Sequence, residues 1–134
     1  MNGHTLDVVL VEDNSADVFL IDRALQEAGL DFRLRTFKDG EEALNFLGDM
    51  RNASTPDVFL IDWNLPRVPG KAVLQAIGNI GDFGKTTRIV LTSSDSPADQ
   101  SEVEQLGAVF FSKPRSLDEF IQIGQKIRTL LGLP

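Results

Sequence analysis

The feature that most constrains this chain is the repeated alternation of short apolar runs with segments of helical periodicity. Four runs are dense in Val, Ile, Leu and Phe, at residues 7–11, 58–61, 88–91 and 109–111. Continuous apolar runs of this length are typical of strands buried on both faces of a parallel sheet. A fifth run, at residues 32–37, alternates apolar with polar residues. That alternation predicts a half-exposed strand at a sheet edge.

The segments between these runs repeat their apolar residues with the period of a helix. The spacing i, i+3, i+4, i+7 predicts three helix faces, namely Ile21, Ala24, Leu25 and Ala28, then Val73, Ala76, Ile77 and Ile80, then Leu117, Phe120, Ile121 and Gly124. Gly29 suits the end of the first of these helices, and Ser116 with Glu119 suits a capping box at the start of the last. Shorter helices are predicted at residues 41–48 and 97–106.

The order is therefore strand–helix repeated five times, which predicts an α/β fold. We expect a flavodoxin-like (βα)5 domain, a doubly wound parallel sheet with strand order 2-1-3-4-5. Ligands of such sheets bind at the carboxyl ends of the strands, near the point between the first and third strands where the order reverses. Functional residues are to be sought at that edge.

Length and composition limit what such a domain does. The chain has 134 residues and no linker-like segment, so we expect a single domain over residues 1–134 without an output domain. Since residues 1–7 have neither a basic start nor an apolar run, we expect no secretory signal, and no stretch approaches the ~20 apolar residues of a membrane span. The absence of cysteine fits the reducing cytoplasm, where we expect the protein. The net charge of −7 and scattered basic residues argue against a nucleic-acid partner.

Polar residues follow the predicted strands in a specific pattern. Glu12 and Asp13 follow the first strand, Asp62 the third, Thr92 the fourth and Lys113 the fifth. Carboxylates brought together at one sheet edge repel one another unless a cation joins them. Mg²⁺ suits this role, because it takes a few carboxylate oxygens, keeps waters and bridges to phosphate. The hydroxyl and the ammonium would then hold phosphoryl oxygens.

Four segments resemble the response-regulator receiver family of two-component systems. They are VVLVEDNSAD, VFLIDWNLPRVPG, IVLTSSDSPAD and GAVFFSKP, in the family's order and covering essentially the whole chain. Within the family, the chain most resembles the small stand-alone regulators that partner bacterial phytochromes. The LPR…G loop, the long connection near GDFGKTT and the absence of an output domain carry this narrower resemblance.

The resemblance implies a metal site and a phosphoacceptor. Asp62 would accept the phosphoryl group as an acyl phosphate. Glu12, Asp13 and Asp62, with the backbone carbonyl of Asn64, would hold Mg²⁺ or another divalent ion such as Mn²⁺, with Glu12 and Asp13 bound either directly or through water. The family's reaction depends on positioning and on neutralising charge, because phosphoryl transfer passes through a loose, anionic transition state.

The resemblance also implies a switch. Thr92 would hydrogen-bond the phosphoryl group and Lys113 would pair with it. Phe110, three residues before the lysine, falls at the position of the switch aromatic residue. The bond between Lys113 and Pro114 is expected to be cis, as only an X-Pro bond readily can be. Phosphorylation would shift the population between two states of one fold.

The implied function is that of a single-domain response regulator that is not an enzyme beyond its own phosphorylation and dephosphorylation. Its phosphodonor would be a sensor histidine kinase, such as a bacteriophytochrome, whose docking helices would pack on the first helix. Output would run through contact with a downstream protein or a phosphotransfer protein. A homodimer through the fourth helix, fifth strand and fifth helix is a further expectation, whereas nucleic-acid and membrane partners are not expected.

Some residues depart from the family pattern, and other functions compete. Trp63, Pro69, Arg115 and Phe110 replace more usual residues. Trp63 suits packing or recognition, and Phe110 suits the core or the switch.

A degenerate receiver would use the same fold without phosphorylation. An aspartyl-phosphate phosphohydrolase would need a carboxylate at Asn64, and a flavin binder would need a hydroxyl- or glycine-rich loop in place of EDNSAD.

Overall fold

Five strands and five helices alternate along the part of the chain that the computed structural model describes, residues 5–49, 55–80 and 86–133. The strands are β1 (Leu6–Val11), β2 (Phe32–Phe37), β3 (Val58–Asp62), β4 (Thr87–Thr92) and β5 (Val109–Ser112). The helices are α1 (Ser15–Glu27), α2 (Gly40–Gly48), α3 (Gly70–Gly78), α4 (Pro97–Gln105) and α5 (Leu117–Leu130). Residues 81–85, in the connection near GDFGKTT, lie outside the described residues.

The strands form one parallel sheet in the order β2-β1-β3-β4-β5, as the sequence predicts. β1 pairs with β2 along its whole length and with β3 on its other side. The order reverses between β1 and β3, because successive crossovers first build the sheet in one direction from β1 and then in the other. The flavodoxin-like architecture is confirmed.

Two apolar layers hold the helices on the sheet. Successive strand residues point to opposite faces, so Leu60 of β3 packs under α1 and α5, whereas Ile61 packs under α2, α3 and α4. On the first face, Ile21 of α1 and Ile127 of α5 are almost completely buried. β1, β3 and most of β4 are buried from both sides, as their continuous apolar runs predict.

The prediction that β5 is buried on both faces was wrong. Val109, Phe110 and Phe111 are only half-buried and Ser112 is exposed, because β5 lies at the open edge of the sheet beside β4. A short apolar run does not distinguish a central strand from an edge strand. The predicted half-exposure of β2, at the opposite edge, is confirmed.

The predicted ends of α1 and α5 agree with the structure, but the predicted buried face of α5 does not. α1 ends just before Gly29, and Ser116 caps α5 by accepting the Glu119 amide N–H. The buried face of α5, however, is Phe120, Ile123, Gly124 and Ile127. Leu117, assigned to the core from spacing, is 50% exposed, because α5 is turned so that a second stripe of the same period meets the sheet. In these described segments, no helix is long and apolar enough to cross a membrane.

Candidate functional site

The polar strand ends meet at one edge of the sheet. Asp62 is the last residue of β3 and Thr92 the last of β4, while Glu12 and Lys113 directly follow β1 and β5. Because all the strands are parallel, their carboxyl ends lie on the same side. The residues predicted from sequence are therefore brought together at the point where the strand order reverses.

Three carboxylates converge there. Glu12, Asp13 and Asp62 each present one oxygen, and these oxygens lie within 4.8 Å of one another. The Glu12 side chain is 1% exposed and that of Asp62 is 7% exposed, whereas Asp13 is open to solvent. Carboxylates this close repel one another. Hard oxygen donors with one exposed side suit Mg²⁺ or Mn²⁺, which retain water ligands. The donor set therefore fits a small divalent cation.

Lys113 bridges the carboxylates. Its Nζ lies 2.8 Å from Glu12 Oε1, 2.9 Å from Asp17 Oδ2 and 3.4 Å from Asp62 Oδ2. Its backbone N–H donates to the Thr92 carbonyl at 2.8 Å, so β4 fixes its main chain. The ammonium therefore lies beside Asp62, but its shorter contacts are with Glu12 and Asp17.

The peptide bond between Lys113 and Pro114 is trans, and the prediction of a cis bond was wrong. The trans form is the one that X-Pro bonds intrinsically favour. With this bond trans, the Lys113 side chain reaches Glu12 and Asp62.

The proton affinities of the site reflect burial and charge. Burial raises the pKa of Glu12 from 4.5 to about 7, with the charge of Asp62 adding to the rise and the hydrogen bond from Lys113 opposing it. Burial lowers the pKa of Lys113, but hydrogen bonds to Asp17 and Glu12 and the charges of Glu12 and Asp62 raise it more, so it ends above its usual value. Lys113 is therefore charged at neutral pH, whereas Glu12 exchanges its proton near neutrality.

The sequence did not single out Asp17. It lies in the first turn of α1, and its carboxylate receives one of the shortest hydrogen bonds of Lys113. A signal was present: Asp17 follows Asp13 by four residues, which is about one helical turn beyond the strand end. An acidic residue in a first helical turn also has a simpler explanation, since the helix macrodipole favours it there.

The Thr92 hydroxyl is completely buried and accepts two hydrogen bonds. One comes from Asn64 Nδ2 at 3.0 Å and the other from the Ser94 amide N–H at 3.1 Å. The Asn64 amide N–H donates to Asp62 Oδ1 at 3.1 Å. Asn64, predicted to contribute only a backbone carbonyl, thus also connects Asp62 to Thr92 through its N–H and its side chain.

The loop after Asp62 is held close to the strand end. Trp63 is 7% exposed and belongs to the core under α3, which confirms packing as its role. The Gly70 N–H donates to the Trp63 carbonyl, and a Cβ at Gly70 would collide with the Asp62 carbonyl. Pro69 precedes α3 with extended backbone and makes no side-chain cap. A glycine at 70 is therefore needed for α3 to start against Asp62.

Phe110 and Phe111 lie on opposite faces of β5. Phe110 packs against the core under α3 and α4, and Phe111 against the core under α1 and α5. Each is half-buried, so Phe110 contacts the core and also borders the open sheet edge. The core interpretation of Phe110 is therefore confirmed.

Comparison with known proteins identifies the family. The profile of the response regulator receiver domain matches residues 8–125. The chain belongs to the response regulator receiver family. Among curated receivers, Response regulator Rcp1 of Synechocystis sp. is 31% identical over 126 residues, which cover 91% of this chain and 86% of Rcp1. The polar-differentiation response regulator DivK of Brucella ovis is 30% identical over 129 residues, covering 96% of this chain and 98% of DivK.

Solved receiver structures agree with this assignment. The phosphorylated cyanobacterial phytochrome response regulator RcpA superposes with a TM-score of 0.84 at 32% identity, covering 96% of this chain and 94% of RcpA. The Mn²⁺-bound form of Rcp1 gives a TM-score of 0.81 at 30% identity, covering 92% of each chain. The receiver fold and the resemblance to phytochrome response regulators are thus confirmed, and the chain is a receiver domain of a response regulator.

Proposed function

We propose that this receiver takes a phosphoryl group onto Asp62 from the phosphohistidine of a sensor histidine kinase, with a divalent cation held beside it. The observation that carries the proposal is the convergence of Glu12, Asp13 and Asp62 within 4.8 Å, with Lys113 Nζ 3.4 Å from Asp62 Oδ2. A buried carboxylate flanked by cation ligands and one ammonium suits acyl-phosphate formation better than it suits a structural ion pair.

Asp62, Asn64 and Lys113 each have a separate role in the phosphoryl transfer. An Asp62 oxygen forms the new P–O bond while the P–N bond of the phosphohistidine breaks and the imidazole leaves. The Asn64 N–H holds Asp62 Oδ1, which restrains the carboxylate's rotation. Lys113 donates to the phosphoryl oxygens as their charge shifts. Since the transition state is anionic, positioned positive charge supplies most of the rate enhancement.

Mg²⁺ or Mn²⁺, held by Glu12, Asp13, Asp62 and the Asn64 carbonyl, would neutralise charge on the phosphoryl oxygens. The fit of the donor set supports this assignment, and the Mn²⁺-bound form of the relative Rcp1 agrees with it. Catalysis in this proposal is confined to the domain's own phosphorylation and dephosphorylation, so the protein is a switch and not an enzyme with a separate substrate.

We propose that the switch operates through Thr92 and Phe110. The Thr92 hydroxyl accepts from Asn64 and from Ser94. A phosphoryl group on Asp62 adds about 1.5–2 negative charges and recruits this hydroxyl as a donor. The hydroxyl would then turn away from Asn64, and Phe110 at the sheet edge would repack beside it. This exchange of partners shifts the population of two states.

The output surface in this proposal is the face formed by α4, β5 and α5. α4 buries a single side chain, Val103, and its ion pair between Glu102 and Lys71 is partly exposed, so few buried contacts hold α4 on the sheet. Half-buried Phe110 lies on the α4 side of β5, and half-buried Phe111 lies on the α5 side. A downstream protein, a phosphotransfer protein or a second copy of the chain would bind here.

Upstream, α1 is the proposed docking site of the kinase. Phe19, on α1, is 64% exposed, which suits contact with an apolar helix face of a partner. The similarity to the phytochrome response regulator RcpA supports a phytochrome-type kinase. A net charge of −7 disfavours nucleic-acid partners, and we place the protein in the cytoplasm, where such kinases phosphorylate their regulators.

The experiment that tests the proposal is intact mass spectrometry after incubation with Mg²⁺ and a small phosphodonor. Wild type should gain a single phosphoryl adduct, and Asp62→Asn should gain none, because its carboxamide lacks the nucleophilic oxygen. Asp95→Asn, which removes an exposed carboxylate after β4, is the matched control and should keep the adduct. Native mass spectra of the same samples report whether phosphorylation produces a dimer.

Wild type without an adduct, and with fluorescence of Trp63 unaffected by Mg²⁺, would contradict the proposal and favour a degenerate binding module. An adduct retained in Asp62→Asn would contradict the assignment of the residue. Omission of Mg²⁺ should abolish the adduct in both wild type and Asp95→Asn.

A further inference from the structure

Asp17 lies beside the candidate metal site but outside its ligand set. The Asn14 side chain caps α1 by accepting the N–H groups of Ala16 and Asp17, at 2.9 and 3.1 Å, which fixes the first turn of the helix. Asp17 Oδ2 accepts from Lys113 Nζ at 2.9 Å. Its side chain is 20% exposed, so the pair is partly shielded from water. The cap thus holds the Asp17 backbone beside the lysine.

Lys113 is shared among three carboxylates that have different tasks. Glu12 and Asp62 belong to the converging acidic set, whereas Asp17 does not. Nζ lies 2.8 Å from Glu12, 2.9 Å from Asp17 and 3.4 Å from Asp62. The ammonium therefore stands between the cation ligands on one side and an independent counter-charge on the other.

On the basis of the phosphoacceptor function proposed above, we propose that Asp17 is a positioning residue. It controls which groups Lys113 contacts in the unphosphorylated and in the phosphorylated domain. In the unphosphorylated domain, Asp17 competes with the cation ligands for Lys113. In the phosphorylated domain, Asp17 competes with the phosphoryl group for the same ammonium.

The first consequence concerns the cation. A divalent ion at Glu12 and Asp62 would repel the ammonium of Lys113 and weaken its contacts with both carboxylates, because both cations are attracted to the same pair of side chains. Asp17 gives the repelled ammonium a partner, and its own charge adds to the attraction for the cation. Asp17 therefore strengthens cation binding.

The second consequence concerns the phosphoryl group. Its oxygens need Lys113 as a donor, and every hydrogen bond that Lys113 keeps to Asp17 is one fewer for them. The charge of Asp17 also repels the added anionic charge. Asp17 therefore weakens retention of the phosphoryl group. Asp17 thus raises the affinity for the cation and lowers the affinity for the phosphoryl group. A general loosening of the site would not change the two affinities in opposite directions.

The test compares Asp17→Asn with wild type in two calorimetric titrations, first with Mg²⁺ and then with beryllofluoride at saturating Mg²⁺. In Asp17→Asn, the Kd for Mg²⁺ should rise by about three- to tenfold, and the Kd for beryllofluoride should fall by about the same factor. These factors are those of a charge-assisted hydrogen bond that is partly screened by solvent. Asp17→Ser should give the same pair of shifts, which guards against a folding defect of one variant.

Asp22→Asn is the matched control, because it removes an equal charge from the same helix. Asp22 Oδ2 accepts from Gln26 Nε2 at 3.1 Å and has no part in the site. Both of its affinities should equal those of wild type. Unchanged affinities in Asp17→Asn, or two shifts in the same direction, would overturn the inference. Wild type that binds no beryllofluoride would instead overturn the phosphoacceptor proposal on which the inference rests.

Discussion

Glu12 is the residue at which folding and proton binding are most closely coupled. Its pKa is raised to about 7 in the folded protein from a usual value of 4.5, chiefly by burial. Between these two pH values the folded chain keeps a proton at Glu12 that the unfolded chain releases. This contribution to the free energy of unfolding is therefore fully present below pH 4.5 and is lost as the pH rises through about 7.

We predict that metal-free wild type loses stability relative to Glu12→Gln as the pH rises from about 5 to about 8. The loss should reach about 2–3 kcal/mol, because most of the interval between 4.5 and about 7 falls within this pH range. Glu12→Gln lacks the titrating group, and Lys113 stays charged throughout, so the difference isolates Glu12. Urea denaturation in chelator at several pH values measures it. Parallel stability curves for the two proteins would refute the prediction.

At the scale of elements, α1 and α5 are packed closely enough to exclude a methyl group. A Cβ at Gly124 of α5 would collide with the Ala24 carbonyl of α1. The colliding atom is backbone, so the helices themselves would have to separate. Gly78, near the end of α3, has open space where its Cβ would be.

We predict that Gly124→Ala lowers the free energy of unfolding by about 1–3 kcal/mol, the usual cost of overpacking. Gly78→Ala, the matched control, should raise it by up to about 1 kcal/mol, because alanine favours a helix more than glycine does. Urea denaturation of both variants measures the contrast. Equal effects at the two positions would mean that helix propensity, and not the α1–α5 contact, dominates at Gly124.

At the scale of the whole molecule, cation binding should stabilise the fold, because the unfolded chain does not hold Glu12, Asp13 and Asp62 together. At Mg²⁺ concentrations about ten times the Kd, mass action adds roughly 1.4 kcal/mol, or about 4–6 °C in Tm for a domain of this size. We predict this rise for wild type, its reversal by chelator, and its loss in Asp13→Asn. Asp95→Asn should respond as wild type does. An equal rise in Asp13→Asn would mean that Mg²⁺ acts by screening the net charge of −7.

The sequence by itself determined the fold class and the main site. The alternation of apolar runs with helical periods is a local property, and it fixes a parallel α/β sheet because each period suits only one kind of element. Once the strands are parallel, residues that directly follow them must meet at one edge. Glu12, Asp13, Asp62, Thr92 and Lys113 could be placed together on this ground, without knowledge of any side-chain contact.

Only the tertiary structure decided which of two equally spaced stripes a helix buries, and which side chains from distant parts of the chain contact each other. Two stripes on α5 have the same period, and packing against α1 and the sheet buries Ile127 while leaving Leu117 exposed. Likewise, Asp17 reaches Lys113 across 96 residues, and the Asn64 amide reaches Thr92 across 28. Such contacts depend on the distance between elements that are far apart in the chain, and a local pattern of residues carries no information about that distance.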